Sequence, residues 1–193
     1  MVGFIRTPRL LLRPLCADDR AEFVRVHIAS RALFAPWFPA RPADETLDDF
    51  FARQLNQTLD GLRENTQCRF VGLLDDAGIA GFFNLFQVVR GAAQYAMSSW
   101  SVSAEVGRQG LGTEGVTALL DFAFAPSPTG LGLHRVQANI IPTNTPSIRV
   151  AEKTGFRCEG LAKNYLKIAG VWQDHFLYAK LADEHTFTFL RLS

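Results

Sequence analysis

Apolar residues follow two periods along this chain, and the switches between them mark its elements. Val116, Leu119, Leu120 and Ala123 recur at helical spacing until Pro126, Pro128 and Gly130 break the run. An earlier stripe of Leu47, Phe51, Leu55, Leu59 and Leu62 predicts a longer helix, with Asp44 as its N-cap and Glu45 and Asp48 favouring its first turn. Ala17-Asp18-Asp19 opens a shorter helix that buries Phe23 and Val26. The Pro-rich stretch Ala35–Pro39 between these two helices suits neither regular element. Strand-like runs cover Arg9–Pro14, Arg69–Leu74, Ile79–Val89 and Tyr95–Val102, the second and third joined as a hairpin across Asp75-Asp76-Ala77-Gly78. Further on, Leu133–Asn139 reads as a strand, Asn144-Thr145-Pro146-Ser147 opens a helix to Lys153, and Thr154-Gly155-Phe156 stops it. Glu159–Ile168 and Val171–Leu181 form a closing hairpin around Ala169-Gly170. Runs of strands with helices inserted at fixed points predict an α+β fold on a mixed sheet. No repeat or linker divides it, so residues 1–183 read as one domain. A tail, 184–193, alternates Thr186, Phe187, Thr188 and Phe189 and could pair as an edge strand or cover a neighbouring element.

Val102–Gly115 carries the most chemistry. A strand there empties into Gly107-Arg108-Gln109-Gly110-Leu111-Gly112-Thr113-Glu114-Gly115, and a helix starts at once. Small residues let backbone N–H groups close on an oxyanion, and the positive end of the helix dipole faces the same point. Gly110, Gly112 and Gly115 spell the dinucleotide pattern G-x-G-x-x-G. No Asp or Glu lies between Asp121 and Glu152 to take a ribose, however, and too little chain follows to finish that fold. A nucleoside triphosphate loop needs a Lys beside its Ser or Thr, which this loop lacks. An ordinary glycine-rich connection remains the alternative to a phosphate site.

Composition narrows the partners. With 193 residues, 48% of them hydrophobic, the chain suits one domain with a full core. A net charge of +1 exerts no long-range pull on nucleic acid or anionic membrane, so neither is an expected partner. Cys16, Cys68 and Cys158 lack pairing or metal-ligand spacing, which argues against a disulfide framework or zinc site and reads as buried or inert thiols of a reducing cytosol. No run approaches the ~20 apolar residues of a membrane span. The predicted location is the cytoplasm.

Taken in order, the glycine loop, the Leu133–Asn139 strand, the Asn144 helix and the Gly155-Phe156 stop resemble the GNAT acetyltransferase superfamily over roughly Leu10 to Leu181. Gly160-Leu161-Ala162-Lys163-Asn164-Tyr165-Leu166, Gly170-Val171-Trp172-Gln173-Asp174-His175 and Pro36-Trp37-Phe38-Pro39 are similar to its RimJ/RimL branch of N-terminal protein acetyltransferases. The resemblance implies a mixed, mostly antiparallel sheet, splayed at an acetyl-CoA site and flanked by about four helices. It also implies acetyl-CoA as co-substrate, no metal, and direct attack of a primary amine on the thioester. Backbone groups near Trp100 and Val102 would bind the pantetheine arm, while Arg108, Gln109, Gly110, Leu111, Gly112 and Thr113 hold the pyrophosphate. Family loops usually begin with Gln or Arg where this chain has Gly107, which leaves the charge to Arg108. Asn144 would reach the pantetheine as well as cap its helix. The family's usual acid, a Tyr seven residues after that Asn, is Ala151 here. RimL-like proteins carry Ser at the position of Ser147, which makes Ser147 the candidate donor to the departing sulfur. The Glu proposed as base in those proteins falls at Leu166 and cannot be carried over.

For the acceptor, Trp37 and Phe38 would overhang the amine side and cover a peptide terminus, or else simply pack the two helices. Tyr165, Trp172 and Asp174 complete the candidate substrate set, against the readings that a strand Trp is core and that Asp174 fixes the hairpin. Asp174 and His175 are adjacent in a strand and point to opposite faces, so with His134 they make no relay. An α-amine titrates near pH 8 and needs less help than a lysine amine. That favours a protein N-terminus as acceptor. A small-molecule amine such as an antibiotic or polyamine, and a catalytically silent acyl-CoA sensor, are the alternatives; a homodimer is left open.

Overall fold

The computed structural model describes residues 4–75 and 78–190, so the centre of the predicted 75–78 turn and residues 191–193 of the tail lie outside it. In chain order the elements are β1 (Ile5–Arg6), β2 (Leu11–Pro14), α1 (Arg20–Ala29), α2 (Arg31–Phe34), α3 (Leu47–Glu64), β3 (Cys68–Leu74), β4 (Gly78–Val89) and β5 (Tyr95–Val102). They continue with α4 (Leu111–Phe124), β6 (Arg135–Ile140), α5 (Thr145–Lys153), β7 (Arg157–Ile168) and β8 (Val171–Leu181). The strands form one sheet in the order β1-β2-β3-β4-β5-β6-β8-β7. Its neighbours are antiparallel except β5 and β6, whose parallel pairing spans only Tyr95↔Arg135 to Met97↔Gln137. The α+β mixed sheet read from the sequence is therefore present.

Alternation along the strands gives the sheet two buried faces. Phe70, Phe83, Leu85, Val136 and Ala138 point to one, where they join Val116, Leu119, Leu120 and Ala123 of α4 and Ala151 of α5 in the main core. Val71 and Ile79 point to the other and pack with Phe23 and Val26 of α1 and Phe51 of α3.

The α3 stripe is corrected in two places. Its N-cap is Thr46, whose hydroxyl accepts from Asp49 N (3.1 Å) while the Asp49 carboxylate accepts from Thr46 N (3.1 Å). This reciprocal box satisfies two orphan donors, which Asp44 upstream does not reach. Leu59 is exposed, because the buried line runs through Phe51, Thr58 and Gly61 instead. A Cβ on Gly61 would lie 2.1 Å from the Gln67 side chain, so the helix closes on the following turn where a larger residue would not fit. Two elements, β1 and α2, are too short for periodicity to reveal.

Among the described residues the tail lies on α4 and adds no strand. Asp121 of α4 is wholly buried; its carboxylate accepts from the backbone N–H groups of Thr188, Phe189 and Leu190 and is bonded to His185 Nε2 (2.7 Å). Phe187 and Phe189 then pack on the main core.

Candidate active site

The glycine run divides between a cradle and a joint. Gly110 takes φ +83° at the N-cap of α4, a left-handed conformation suited to glycine, and no side chain caps the helix there. Glu114 N makes the first turn's bond to Gly110 O (3.1 Å). The N–H groups of Leu111, Gly112 and Thr113 lie in that turn, where a helix has no acceptors of its own to offer. Such uncapped donors, with the positive dipole end behind them, suit an anion. Leu111 contributes only backbone here, since its side chain is buried in the core. Arg108 and Gln109 are exposed beside the cradle, and Arg108 is itself held at φ +63°. Gly112 and Gly115 are helical. A Cβ on Gly112 would stand 3.3 Å from Val150 of α5 and 3.5 Å from Val102 of β5, and one on Gly115 would meet the Phe83 ring at 2.2 Å. These two glycines bring α4, α5 and the sheet close together.

Beside the cradle, β5 and β6 part. Ser98 Oγ donates to Gln137 O (2.8 Å) at the last tie between them, and beyond it β6 continues only with β8. Ser99–Val102, including Trp100 and Val102, therefore offers its β6-side backbone to no strand, as an extended ligand arm requires. The Trp100 ring turns into the core, 6.1 Å from Phe156, with its indole Nε1 sealed from solvent and without a partner among the described residues. An orphaned buried donor costs about 1–3 kcal/mol. Trp100→Phe is therefore expected to stay within about 1 kcal/mol of wild type in urea unfolding, relief of the donor offsetting the packing lost with the second ring; a fall in acetyl-CoA affinity would show instead that the N–H serves the ligand.

Across the gap, the Asn144 side-chain oxygen caps α5 by accepting from Ser147 N (3.2 Å), which leaves its amide NH₂ available. Ser147 is half-buried one turn into the helix, and among the described residues its hydroxyl makes no hydrogen bond. Ala151, one turn further on the same face, is completely buried against the main core. A tyrosine there would need space the core of this chain occupies.

The residues predicted for the acceptor divide between the two sides of the sheet. Phe82 of β4 touches the His27 ring (4.9 Å between centroids), His27 touches Phe34 (5.9 Å), and Phe34 touches Phe38 (5.9 Å), so an aromatic wall climbs from the α1 face of the sheet. Trp37, half-buried, follows Phe34 in a turn. Burial pushes the His27 ring toward the neutral form, and its Nδ1 donates to Phe23 O (2.8 Å). Tyr165 rises on the same face against the buried His175 (5.9 Å). Register puts Phe82 opposite Ser101, and extending the β5–β6 and β6–β8 pairings puts His175 at the same level. The two walls therefore flank the gap where β5 and β6 part.

Trp172 and Asp174 point to the opposite face, with Phe176 and Tyr178, so the predicted trio with Tyr165 is not brought together. Trp172 is 58% exposed, which overturns its reading as core. Asp174 binds Lys163 Nζ (2.7 Å) and Asn164 N (2.9 Å) across the irregularity between Ala162 and Leu166, and so fixes the hairpin. His134 is exposed, far along the sheet from His175, and there is no relay.

Two residues at the site carried no signal in the sequence. Arg9, just before β2, reaches Glu114 of α4 through Nε (2.7 Å) and Nη2 (2.6 Å), and Gln109 O through Nη1 (2.7 Å). Glu114 also accepts from Thr7 Oγ1 (2.6 Å) and Arg9 N (2.9 Å). A separation of more than 100 positions hides such a pair from any local pattern. The thiols stand away from this chemistry. Burial pushes Cys68 up to about 12, whereas Cys16 is half-buried and Cys158 exposed, so burial describes only Cys68 fully. Among the described residues no cluster of His, Cys, Asp or Glu could hold a metal, and no helix is long and apolar enough to cross a membrane.

The family model of the acetyltransferase (GNAT) domain matches residues 9–157. The chain belongs to the GNAT acetyltransferase family. It is accordingly an acetyltransferase with acetyl-CoA as co-substrate. It is 31% identical over 173 residues to the "Probable N-acetyltransferase YjcK" of Bacillus subtilis (strain 168), covering 89% of this chain and 93% of that one. It is 27% identical over 184 residues to the [ribosomal protein uS5]-alanine N-acetyltransferase of Escherichia coli (strain K12), covering 94% and 92%. Among solved structures, RimJ of Mycobacterium smegmatis in complex with CoA-disulfide superposes with a TM-score of 0.83 at 30% identity, covering 95% and 88%. This GNAT acetyltransferase thus has RimJ/RimL-type relatives over almost its whole length.

Proposed function

We propose that this GNAT acetyltransferase transfers the acetyl group to the α-amine of a protein N-terminus, in the cytoplasm. The observation that carries this reading is the cleft between the aromatic walls. Where β5 and β6 part its floor is neutral: Asn84 Nδ2 donates to Ser99 Oγ (3.3 Å), and Ser101 and Asn139 share that face, with the nearest charges, Arg135 and Glu159, paired to each other beyond Gln137. A polyamine or aminoglycoside carries several positive charges and would be held by carboxylates, which this floor does not present. A peptide terminus needs backbone hydrogen bonds and apolar cover, as neutral amides, hydroxyls and aromatic edges supply. The uS5-alanine N-acetyltransferase relative supports the same acceptor class.

On this reading the amides of Gly110–Thr113, with Arg108 and Gln109 beside them, hold the pyrophosphate. The free edges of Trp100 and Val102 and the Asn144 amide align the pantetheine arm. Alignment of thioester and amine supplies much of the rate. A C–N bond forms as the C–S bond breaks; the amine proton leaves through water, and the departing thiolate accepts a hydrogen bond from the Ser147 hydroxyl and takes a solvent proton relayed through it. Phe38 and Tyr165 cover the peptide terminus. Trp172 and Asp174, on the opposite face of the sheet, take no part in this cleft.

The test is acetyl-CoA turnover, followed by thiol release, against short peptides with Ala, Ser, Thr or Met at a free N-terminus, lysine peptides with blocked N-termini, aminoglycosides and polyamines. Turnover confined to free N-termini is expected. Turnover only on small amines would overturn the acceptor, and binding without turnover of any of them would favour a sensor.

A further inference from the structure

The contacts of Arg9 reach the cradle from behind, and they suggest a device that sets its donors. A peptide unit is planar and trans, so its C=O and N–H point in opposite directions. Arg9 Nη1 holds Gln109 O at 2.7 Å, which aims the N–H of the same peptide, that of Gly110, away from Arg9 and outward. The peptide joins Gln109 to the left-handed Gly110 (φ +83°), one residue after the left-handed Arg108 (φ +63°), and a turn of that shape is kept in one orientation by an external hold. The guanidinium is close enough to supply it: a Cβ on Gly110 would be 3.5 Å from Arg9 Nη2.

The same guanidinium disposes of a charge. Glu114 sits in the first turn of α4, its side chain only 9% exposed, one turn from where an anion would bind. Alone it would repel a pyrophosphate. Arg9 meets it with a fork of Nε and Nη2, and Thr7 Oγ1 and Arg9 N complete its shell. The fork and the third donor are used together, which a lysine ammonium at the end of a flexible stem cannot reproduce.

We propose that Arg9 is a positioning residue for acetyl-CoA, holding the Gln109–Gly110 peptide in its donor-outward orientation and neutralising Glu114 beneath the pyrophosphate. This rests on the reading that the pyrophosphate lies at the glycine loop. The experiment uses the full chain and two ligands, acetyl-CoA and acetyl-pantetheine, which lacks the pyrophosphate. Arg9→Ala is expected to raise the KM and Kd for acetyl-CoA about tenfold while kcat at saturation and the affinity for acetyl-pantetheine stay within twofold. Adding Glu114→Gln to Arg9→Ala is expected to recover part of the loss, because the uncompensated charge is gone. Arg9→Lys, which keeps the charge and serves if Arg9→Ala does not fold, is expected to fall between wild type and Arg9→Ala. Unchanged acetyl-CoA affinity in Arg9→Ala or Arg9→Lys, with only the melting temperature lowered, would reduce the contact to a structural clasp and overturn the proposal. A wild-type protein that binds both ligands equally would instead remove the pyrophosphate from the loop, and the underlying reading would fail on its own.

Discussion

Asp121→Ala is expected to be the most damaging single change to the fold, costing about 3–5 kcal/mol, the range for removing one partner of a buried charged network. Three backbone N–H groups and His185 Nε2 converge on a carboxylate with no exposure to solvent, and all four lose their acceptor together. The tail they hold carries Phe187 and Phe189 onto the main core, so apolar burial is lost with the hydrogen bonds. Burial alone would raise the Asp121 carboxyl, but His185 and the N–H groups of Phe189, Leu190 and Thr188 outweigh it and hold it below its ordinary value. A group whose folded pKa is depressed stabilises the fold fully above its unfolded pKa and loses that contribution as pH falls through the folded one. Tail docking should therefore persist through neutral pH and weaken only below the ordinary carboxylate range. Urea unfolding at pH 7 checks the magnitude, and proteolysis near residue 185 checks the site; a loss under 1 kcal/mol with an undigested tail would show that the network is dispensable.

Ser147→Ala is expected to lower kcat about a hundredfold, the low end for positioned acid–base help, while the KM for acetyl-CoA stays within twofold. Ser147 is placed for it by the cap that Asn144 provides, and its hydroxyl is not committed elsewhere among the described residues. Ser147→Thr retains the hydroxyl and should keep most of the activity. A kcat within threefold of wild type in Ser147→Ala would assign the proton to water and leave the serine as a helix residue.

Much of this was legible in the residues because it is local. The α4 stripe, the Asn144 cap and the glycine loop are set by neighbours within a turn, and periodicity and backbone freedom report them directly. The β7–β8 hairpin was equally plain from its Ala169-Gly170 turn, where both residues take positive φ. The N-cap of α3 went to Thr46 instead of Asp44 because the two-way bond with Asp49 selects among several capable residues, and composition cannot rank them.

The chain by itself determined the family, the order of its elements and the position of the glycine loop, since each depends on residues close together along the backbone. Tertiary structure decided which face each side chain serves. Sheet register placed Tyr165 beside His175 and turned Trp172 and Asp174 to the other side, a consequence of pairings between strands that no single strand encodes. It also joined Arg9 to Glu114 across more than 100 residues and seated the tail on Asp121. Contacts between elements distant in sequence exist only once the sheet has brought those elements together.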